Sequence, residues 1–281
     1  MTIVSNRGYL NEDYRLFHST DRRDMDFQTH SHDFHKLVLC LAGGVTYIVE
    51  GVTYDLSPWD ILLIPEHQIH RSIMHSTENY ERIVLWINDR FFDKYAEPAL
   101  REVFLWPLER GSGLYCPPKQ HRAQITEKMY AIERCQQEKR PQLLADTYLI
   151  QLLLELSAHI RETPAEVEAR THSDPRFSAM LAYINQNLAE AMSVDALAAH
   201  FFMSGSHLMH TFKQHTGMTV HQYVRQKRLI LASERIRAGE SVTDAALQSG
   251  FSDYTTFLKA FRAQYGCAPG EFRKKVQQTE K

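Results

Sequence analysis

The spacing of the apolar residues changes once along this chain, near residue 119. Before that point, short runs rich in β-branched and aromatic residues, such as 36–41, 45–49 and 61–64, are separated by Gly and Pro turns. Such runs at intervals of about 8–12 residues predict a β-barrel or a sandwich. After residue 119 the apolar residues recur at helical spacing. We therefore expect an α+β protein with a strand-rich first part and a helical second part.

A polar stretch divides the helical part in two. Residues 163–175 contain two prolines and a cluster of charged residues, a composition typical of a linker. We therefore predict a β-barrel over residues 1–118, a helical segment packed on it over 119–162, and a second, all-helical domain over 176–281. The length of 281 residues is sufficient for two such domains.

The helix that follows Pro141 carries a wide apolar stripe. Its members are Leu143, Leu144, Tyr148, Leu149, Leu152, Leu153, Leu156 and Ile160. The stripe is wider than contact with the barrel needs, so we expect segment 119–162 to form a homodimer, with Leu149 and Leu153 facing the second subunit. Polar residues interrupt the stripe, whereas a membrane-spanning helix needs about 20 mostly apolar residues. Because the N-terminus has no apolar leader, the sequence predicts a cytoplasmic protein without membrane contact.

Two segments of the helical domain, 194–216 and 242–265, share one plan of helix, turn and helix. Ser193 and Ser241 are N-cap residues at the start of each segment, and a break follows the first helix of each. The second helix of each segment leaves small, polar and basic side chains on its outer face. Such a helix fits the major groove of DNA, and this part of the chain has a basic excess beside an acidic first part.

An ordered series of residues extends over both segments. It includes Leu197-Ala198, Phe212-Lys213, Arg228-Leu229, Gly250-Phe251-Ser252-Asp253 and Phe261-Arg262. From Leu197 to Arg273 the chain resembles the DNA-binding domain of the AraC/XylS family. The resemblance implies a sequence-specific regulator, more often an activator, that places two recognition helices in successive major grooves of promoter DNA. RNA polymerase would be a further partner of an activator.

The resemblance also implies which side chains meet the DNA. In the first recognition helix these are Ser206, His207, Met209, His210 and Lys213, and in the second they are Tyr254, Thr255, Leu258, Lys259 and Arg262. All of them except His207, Lys213 and Arg262 would face bases, and Arg262 would contact phosphate. Packing is the alternative role of Met209 and Leu258, and contact with phosphate or with solvent is the alternative role of Lys259. The first helix has no arginine at its exposed positions, which predicts little bidentate contact with guanine.

Two histidine-rich stretches lie in the strand-rich part, at 30–35 and at 65–70. Together with the Glu50-Gly51 turn and the Pro58-Trp59-Asp60 step, their order resembles the cupin-like sensing domain of the same family. The resemblance implies a pocket for a small-molecule effector lined by His30, His32, His35 and His70. Catalytic cupins use such a histidine pair with a nearby glutamate to bind a metal. Here Lys36 stands in place of the glutamate and would repel a metal, although His35 beside it offers a substitute.

Three functions remain open at this point. We predict a ligand-responsive regulator without a cofactor. The first alternative is a metal-dependent cupin enzyme, or a metal sensor, fused to a DNA-binding domain, in which the same four histidines hold Zn, Ni, Fe or Cu. The second is a constitutive regulator whose barrel only dimerises. The sequence has no GxSxG, HExxH, P-loop or GxGxxG motif, and for that reason we predict no enzyme.

Overall fold

The computed structural model describes residues 10, 12–21, 28–74, 79–162 and 171–279. They form two compact units, an N-terminal unit, Tyr9–Ser173, and a C-terminal unit, Asp174–Lys281. The prediction of an α+β protein with two domains is confirmed. Most of the predicted linker, residues 163–170, lies outside the described residues.

Two antiparallel sheets form the strand-rich part of the N-terminal unit. The first sheet has the order β1 (Tyr14–Asp21), β7 (Tyr80–Ile87), β2 (His35–Ala42), β5 (Ile61–Ile64) and β8 (Leu114–Tyr115). The second has the order β6 (His70–Ile73), β3 (Val45–Val49), β4 (Val52–Leu56) and β9 (Thr171–His172). The β3–β4 hairpin turns at Glu50-Gly51, as the sequence indicates.

Four helices belong to the same unit: α1 (Asp89–Tyr95), α2 (Ala99–Arg110), α3 (Lys119–Gln137) and α4 (Gln142–Glu162). The first two lie inside the segment predicted as barrel, and the sequence analysis missed them. A signal for α1 was present, because the side chain of Asn88 accepts a hydrogen bond from the backbone N–H of Arg90 and caps the helix.

The first sheet separates two apolar cores. Leu37 and Leu39 of β2 lie on the face that packs against the helices, together with Leu85 of β7. Val38 and Val84 lie on the opposite face, in the core between the two sheets. This division follows from the alternation of side chains along a strand. The N-terminal unit thus has three layers, namely helices, first sheet and second sheet.

Helix α4 is the central helix of the first core. By length and composition it could cross a membrane, with a mean hydropathy of 1.3 over its most apolar window. Its apolar face is instead packed within this unit, where Leu149 and Leu153 are both 0% exposed. The expectation that these two leucines face a second subunit is therefore wrong. The exposed leucines of α4 are Leu143, Leu144 and Leu154.

Asp146 of α4 is a buried carboxylate that joins three elements. It accepts hydrogen bonds from the Tyr14 hydroxyl of β1 (2.9 Å) and the Gln142 amide (2.9 Å). It also accepts from the Lys94 ammonium at the end of α1 (2.7 Å) and from the Tyr95 hydroxyl. Burial alone would raise the pKa of Asp146, but these hydrogen bonds together hold that pKa below its ordinary value.

We expect the substitution Asp146→Asn to lower the free energy of unfolding near pH 7 by about 1–3 kcal/mol, because it leaves buried donors without an ionised acceptor. A carboxyl whose pKa is lowered by folding stabilises above its unfolded pKa, and this contribution is lost as the pH falls through the folded pKa. The difference between the two proteins should therefore shrink towards acid pH. Urea unfolding followed by tryptophan fluorescence measures it, since Trp59, Trp86 and Trp106 all lie in the N-terminal unit. A difference that stays constant down to pH 3 would contradict this interpretation.

The C-terminal unit is all helical. Its helices are α5 (Pro175–Gln186), α6 (Val194–His200), α7 (Gly205–Thr216), α8 (Val220–Arg237), α9 (Val242–Gln248), α10 (Tyr254–Tyr265) and α11 (Pro269–Thr279). The pairs α6–α7 and α9–α10 have the helix–turn–helix plan, and α8 connects them. All four helices of these two pairs begin at side-chain caps, which are Ser193, Ser204, Ser241 and Asp253.

The turns of the two pairs each contain one residue of positive φ after the first helix, but the surroundings of that residue differ. The positive-φ residue is Phe202 (φ 54) in the first turn and Gly250 (φ 88) in the second. Phe202 points into solvent and is 94% exposed. A Cβ on Gly250 would lie 2.6 Å from the Leu188 carbonyl oxygen and 2.8 Å from Nε of Arg228. That arginine donates to the same Leu188 oxygen (2.7 Å), so only glycine fits the second turn.

The substitution Gly250→Ala should therefore destabilise the C-terminal unit by about 2–5 kcal/mol, through backbone strain and steric overlap together. Gly266→Ala is the matched control, because Gly266 also has a positive φ of 69 but has open space around it. The control should cost only about 1–2 kcal/mol, the strain alone. Amide hydrogen exchange in α9 and α10 of the full chain measures both effects. Equal losses in the two variants would show that the close approach is unimportant.

Candidate functional site

The helices α7 and α10 each have one buried face. Leu208 and Phe212 of α7, like Phe257 and Phe261 of α10, are fully buried in the C-terminal unit. The spacing of four residues places each pair on one side of its helix. The opposite side of each helix remains on the surface.

The outer face of α7 contains all five residues that the sequence assigns to it. Ser206, His207, His210 and Lys213 are exposed, and Met209 is 52% exposed. Packing within the unit therefore does not account for Met209. The hydroxyl of Ser204 accepts a hydrogen bond from the backbone N–H of His207 (3.2 Å) and fixes the start of the helix.

The outer face of α10 begins at a strong cap. The carboxylate of Asp253 accepts hydrogen bonds from the backbone N–H of Thr256 (2.7 Å) and of Thr255 (3.2 Å). Hydrogen bonds from Thr256 and Thr255 lower the pKa of Asp253. Four of the predicted contact residues are exposed, namely Tyr254, Thr255, Lys259 and Arg262. The fifth, Leu258, is half-buried.

Helix α8 contacts both α7 and α10. The ring of Tyr223, near its start, meets the ring of Phe212 from α7 edge-on, with centroids 5.4 Å apart. Further along α8, the hydroxyl of Ser233 lies 2.9 Å from the hydroxyl of Tyr265, the last residue of α10. One helix thus fixes the positions of the two exposed faces in the same unit.

A second candidate site lies in the N-terminal unit, where three of the four predicted histidines come together. The ring centroid of His70 lies 4.5 Å from that of His30 and 4.7 Å from that of His32. The backbones of His30 and His70 also exchange two hydrogen bonds, of 3.0 and 2.8 Å. His32 is 5% exposed and His70 is 1% exposed. We call these three residues the imidazole cluster.

Backbone carbonyls set the tautomers of the imidazole cluster. The Nδ1 atoms of His30, His32 and His70 lie 2.8, 2.7 and 2.9 Å from the carbonyl oxygens of Gln28, Phe34 and Gln68. Because a carbonyl only accepts, each Nδ1 carries the proton, and Nε2 holds a lone pair in the neutral ring. Within the described ranges, the buried Nε2 atoms of His32 and His70 have no hydrogen-bond partner. Unpartnered buried groups of this kind are typical of a ligand site.

The imidazole cluster is neutral at pH 7. Burial is the main cause that lowers the pKa of each ring, and the positive charge of Lys36 lowers all three further. For His70 the neighbouring ring of His32 contributes more than Lys36 does. Burial, the positive charge of Lys36 and the neighbouring rings thus all oppose protonation of the imidazole cluster.

Lys36 lies on the β2 face that looks toward the second sheet. Its Nζ is 5.5 Å from the ring centroid of Tyr47 on β3. Burial lowers the pKa of Lys36, yet the side chain retains some accessible surface.

His35 does not join the imidazole cluster. It lies on the helix-facing side of β2, where its ring meets that of Phe104 with centroids 4.6 Å apart. Neighbouring residues of a strand point to opposite faces, which separates His35 from Lys36. His35 does approach Glu66 and Asp89, and these three could supply ligand atoms within 4.8 Å of one another. However, Nδ1 of His35 accepts the Glu66 backbone N–H (3.3 Å), so Nε2 carries the proton and donates to Asp89 (3.1 Å). This arrangement leaves no lone pair for a metal.

Both units match models of known protein families. The model of the AraC-like ligand binding domain matches residues 15–170, and that of a helix-turn-helix domain matches residues 197–275. The HTH-type transcriptional activator RhaS from Salmonella schwarzengrund (strain CVM19633) is 28% identical over 255 residues, which cover 88% of this chain and 87% of RhaS. RhaS from Escherichia fergusonii is 26% identical over 249 residues, with the same coverage of 88% and 87%. Among solved structures, ToxT from Vibrio cholerae is 15% identical and covers 93% of this chain and 98% of its own, with a TM-score of 0.40.

Proposed function

This chain belongs to the AraC family and is a ligand-responsive, DNA-binding transcription regulator, and we propose that α7 and α10 read its operator while the imidazole cluster holds its effector. The observation that carries the first part is the pair of exposed helix faces held by α8. A helix of this size fits the major groove of DNA, which is about 12 Å wide. Two such helices in one unit would enter successive major grooves on one side of the DNA.

The two recognition helices offer different chemistry to the bases. On α7, Ser206, Met209 and His210 offer a hydroxyl, an apolar chain and an imidazole. On α10, Lys259 suits a guanine edge, whereas Tyr254 and the exposed part of Leu258 suit a thymine methyl group. Arg262, at the far end of α10, suits a phosphate, which positions the unit without specifying sequence.

The substitution Lys259→Ala should cost about 1–3 kcal/mol at one base position and relax discrimination there. Arg262→Ala should weaken binding to all sequences alike and reduce the salt dependence of binding, because a phosphate contact is lost. An operator is first selected from random DNA with the full chain, and binding is then titrated over its single-base variants. If Lys259→Ala weakens every variant equally, Lys259 is a phosphate contact and the assignment is wrong.

We further propose activation as the mode of regulation. The RhaS proteins that this chain resembles are named transcriptional activators. An activator in this position would have promoter DNA and RNA polymerase as partners and would act in the cytoplasm without catalysis of its own. A metal-dependent function is less well supported, because Lys36 adds a positive charge beside the imidazole cluster.

A homodimer through α3 and α4 fits the exposed apolar residues of these helices. Leu143 is 66% exposed and Leu154 is 39% exposed, and the half-buried Ile150 lies between them at helical spacing. Tyr130 of α3 is exposed as well. A stripe of this kind on a helix that already fills the core with its other face is typical of an interface between subunits.

The double substitution Leu143→Glu and Leu154→Glu should give monomers, because it places two charges in this interface. Leu105→Glu with Leu108→Glu is the matched control, since these two leucines of α2 are exposed but lie outside residues 119–162. The control should remain dimeric at micromolar concentration by light scattering. If the unmodified chain is already monomeric there, or if the control alone dissociates, the proposed interface is wrong.

A further inference from the structure

We propose that the effector of this regulator is an organic carboxylate, held by Lys36 and by the Nε2 atoms of His32 and His70. This inference rests on the proposed role of the imidazole cluster as the effector site. It goes further by assigning the ligand a chemical class and a charge.

Among the described residues, Lys36 has no acidic partner. In the parts of the chain that the structure describes, no carboxylate lies within ion-pair distance of its ammonium group. Its contact with the face of the Tyr47 ring offsets only part of the cost of burying a charge. A buried cation that a protein retains needs a counter-charge, and a bound anion would supply it.

The polar groups around Lys36 are hydrogen-bond donors or can become donors. Trp86 stands opposite Lys36 in the pairing of β2 with β7, and its indole N–H has no hydrogen-bond partner among the described residues. The free Nε2 atoms of His32 and His70 become donors when the rings are protonated. A carboxylate is an acceptor only, so its two oxygens match this set of groups.

Aromatic and aliphatic side chains lie next to these polar groups and suit the apolar part of a ligand. The ring of Phe34 stacks on His32 with centroids 3.9 Å apart and lies 4.6 Å from the ring of Trp86. The core between the two sheets continues this apolar surface through Val38, Val84 and their neighbours. Apolar side chains of this kind suit the carbon skeleton of an organic acid. A single lysine also matches the single charge of a carboxylate better than the higher charge of a phosphate group.

A metal ion and a neutral polyol both fit less well. A divalent cation would stand beside the positive charge of Lys36, which already opposes protonation of all three imidazoles. A polyol brings as many donors as acceptors and would leave the ammonium group of Lys36 uncompensated.

Binding of an anion should be coupled to proton uptake. The other ionisable residues around the imidazole cluster are Asp33, Glu50, Glu66, His67 and Arg71, and Lys36 has Tyr47 and Arg82 as further neighbours on β3 and β7. Of these, the carboxylate of Glu50 accepts the backbone N–H of Ile69, and Arg82 forms an ion pair with Asp21 (2.6 Å). Burial, Lys36 and the rings themselves lower the imidazole pKa values in the free protein. A bound carboxylate raises these pKa values, so its affinity should increase as the pH falls, by up to about tenfold per pH unit for each proton taken up. A metal would show the opposite trend, because it needs the neutral rings.

The test uses the full chain and acetate as the probe, since acetate carries the proposed group and little else. Acetamide at the same concentration and ionic strength is the neutral control. Acetate, but not acetamide, should raise the melting temperature and the pKa values of His32 and His70 measured by NMR. Lys36→Met should weaken acetate binding at least about tenfold, whereas Lys36→Arg, which keeps the charge, should retain it. Circular dichroism of each variant confirms that it is folded.

Three results would overturn the proposal. The first is equal stabilisation by acetate and acetamide. The second is unchanged acetate binding in a folded Lys36→Met variant. The third is a cobalt(II) spectrum that depends on His32 and His70, with affinity that falls at low pH.

A transcription reporter distinguishes two claims, namely that this site binds a carboxylate and that ligand binding at this site controls transcription. The variants His32→Gln and His70→Gln are compared with the unmodified chain, and each is also tested with acetate. If acetate binds as expected but both variants regulate normally, the carboxylate site stands and the effector role is wrong. If a neutral polyol changes regulation through these histidines while acetate does not bind, the effector site stands and the carboxylate is wrong.

Discussion

The alternation of side chains across the first sheet is the constraint on which the rest of the N-terminal unit depends. Because β2 and β7 lie in the middle of that sheet, each must satisfy two cores at once. Odd-numbered residues of β2, such as Leu37, pack against α4 and the other helices, and even-numbered ones, such as Val38, line the space between the sheets. The position of a polar residue in β2, odd or even, therefore decides whether its side chain lies in the helix core or between the sheets. Lys36 faces the interior between the sheets, whereas His35 supports the helix layer.

Much of this architecture was accessible from the sequence. The β-branched runs identify β2, β3 and β5, and the capping serines with Gly250 and Phe257 identify the two helix–turn–helix pairs. The resemblance to the cupin-like domain also groups His30, His32 and His70, which lie together in the structure. It includes His35 as well, and this residue lies on the other face of β2. The sequence does not predict features that depend on packing between residues far apart in the chain. The burial of Leu149 and Leu153 depends on how α4 packs on α2 and α3, and no local pattern shows which half of a wide apolar stripe faces inward.

Among the described residues, buried polar groups are matched by partners in some regions and unmatched in others. In the helix layer, Asp146 is matched by donors from β1, α1 and α4, so its charge holds elements together. Between the sheets, the Nε2 atoms of His32 and His70 are unmatched among the described residues, and Lys36 stands beside them. The C-terminal unit has a matched example in Arg228, which donates to two carbonyl oxygens of the chain between α5 and α6. A matched network stabilises a fold, whereas an unmatched one is available to a ligand.

The contrast between the turns at Phe202 and Gly250 has a consequence for evolution. Both turns have a residue of positive φ after the first helix, but this residue is bounded by solvent in the first turn and by Leu188 and Arg228 in the second. The first helix–turn–helix can therefore accept many residues at this position, and small shifts in the direction of α7 are sterically permitted. The second cannot change its turn without disturbing the chain between α5 and α6. If α7 and α10 read the operator as proposed, divergence of operator preference among descendants of this protein should accumulate through α7, while α10 keeps the inherited half of the recognition sequence.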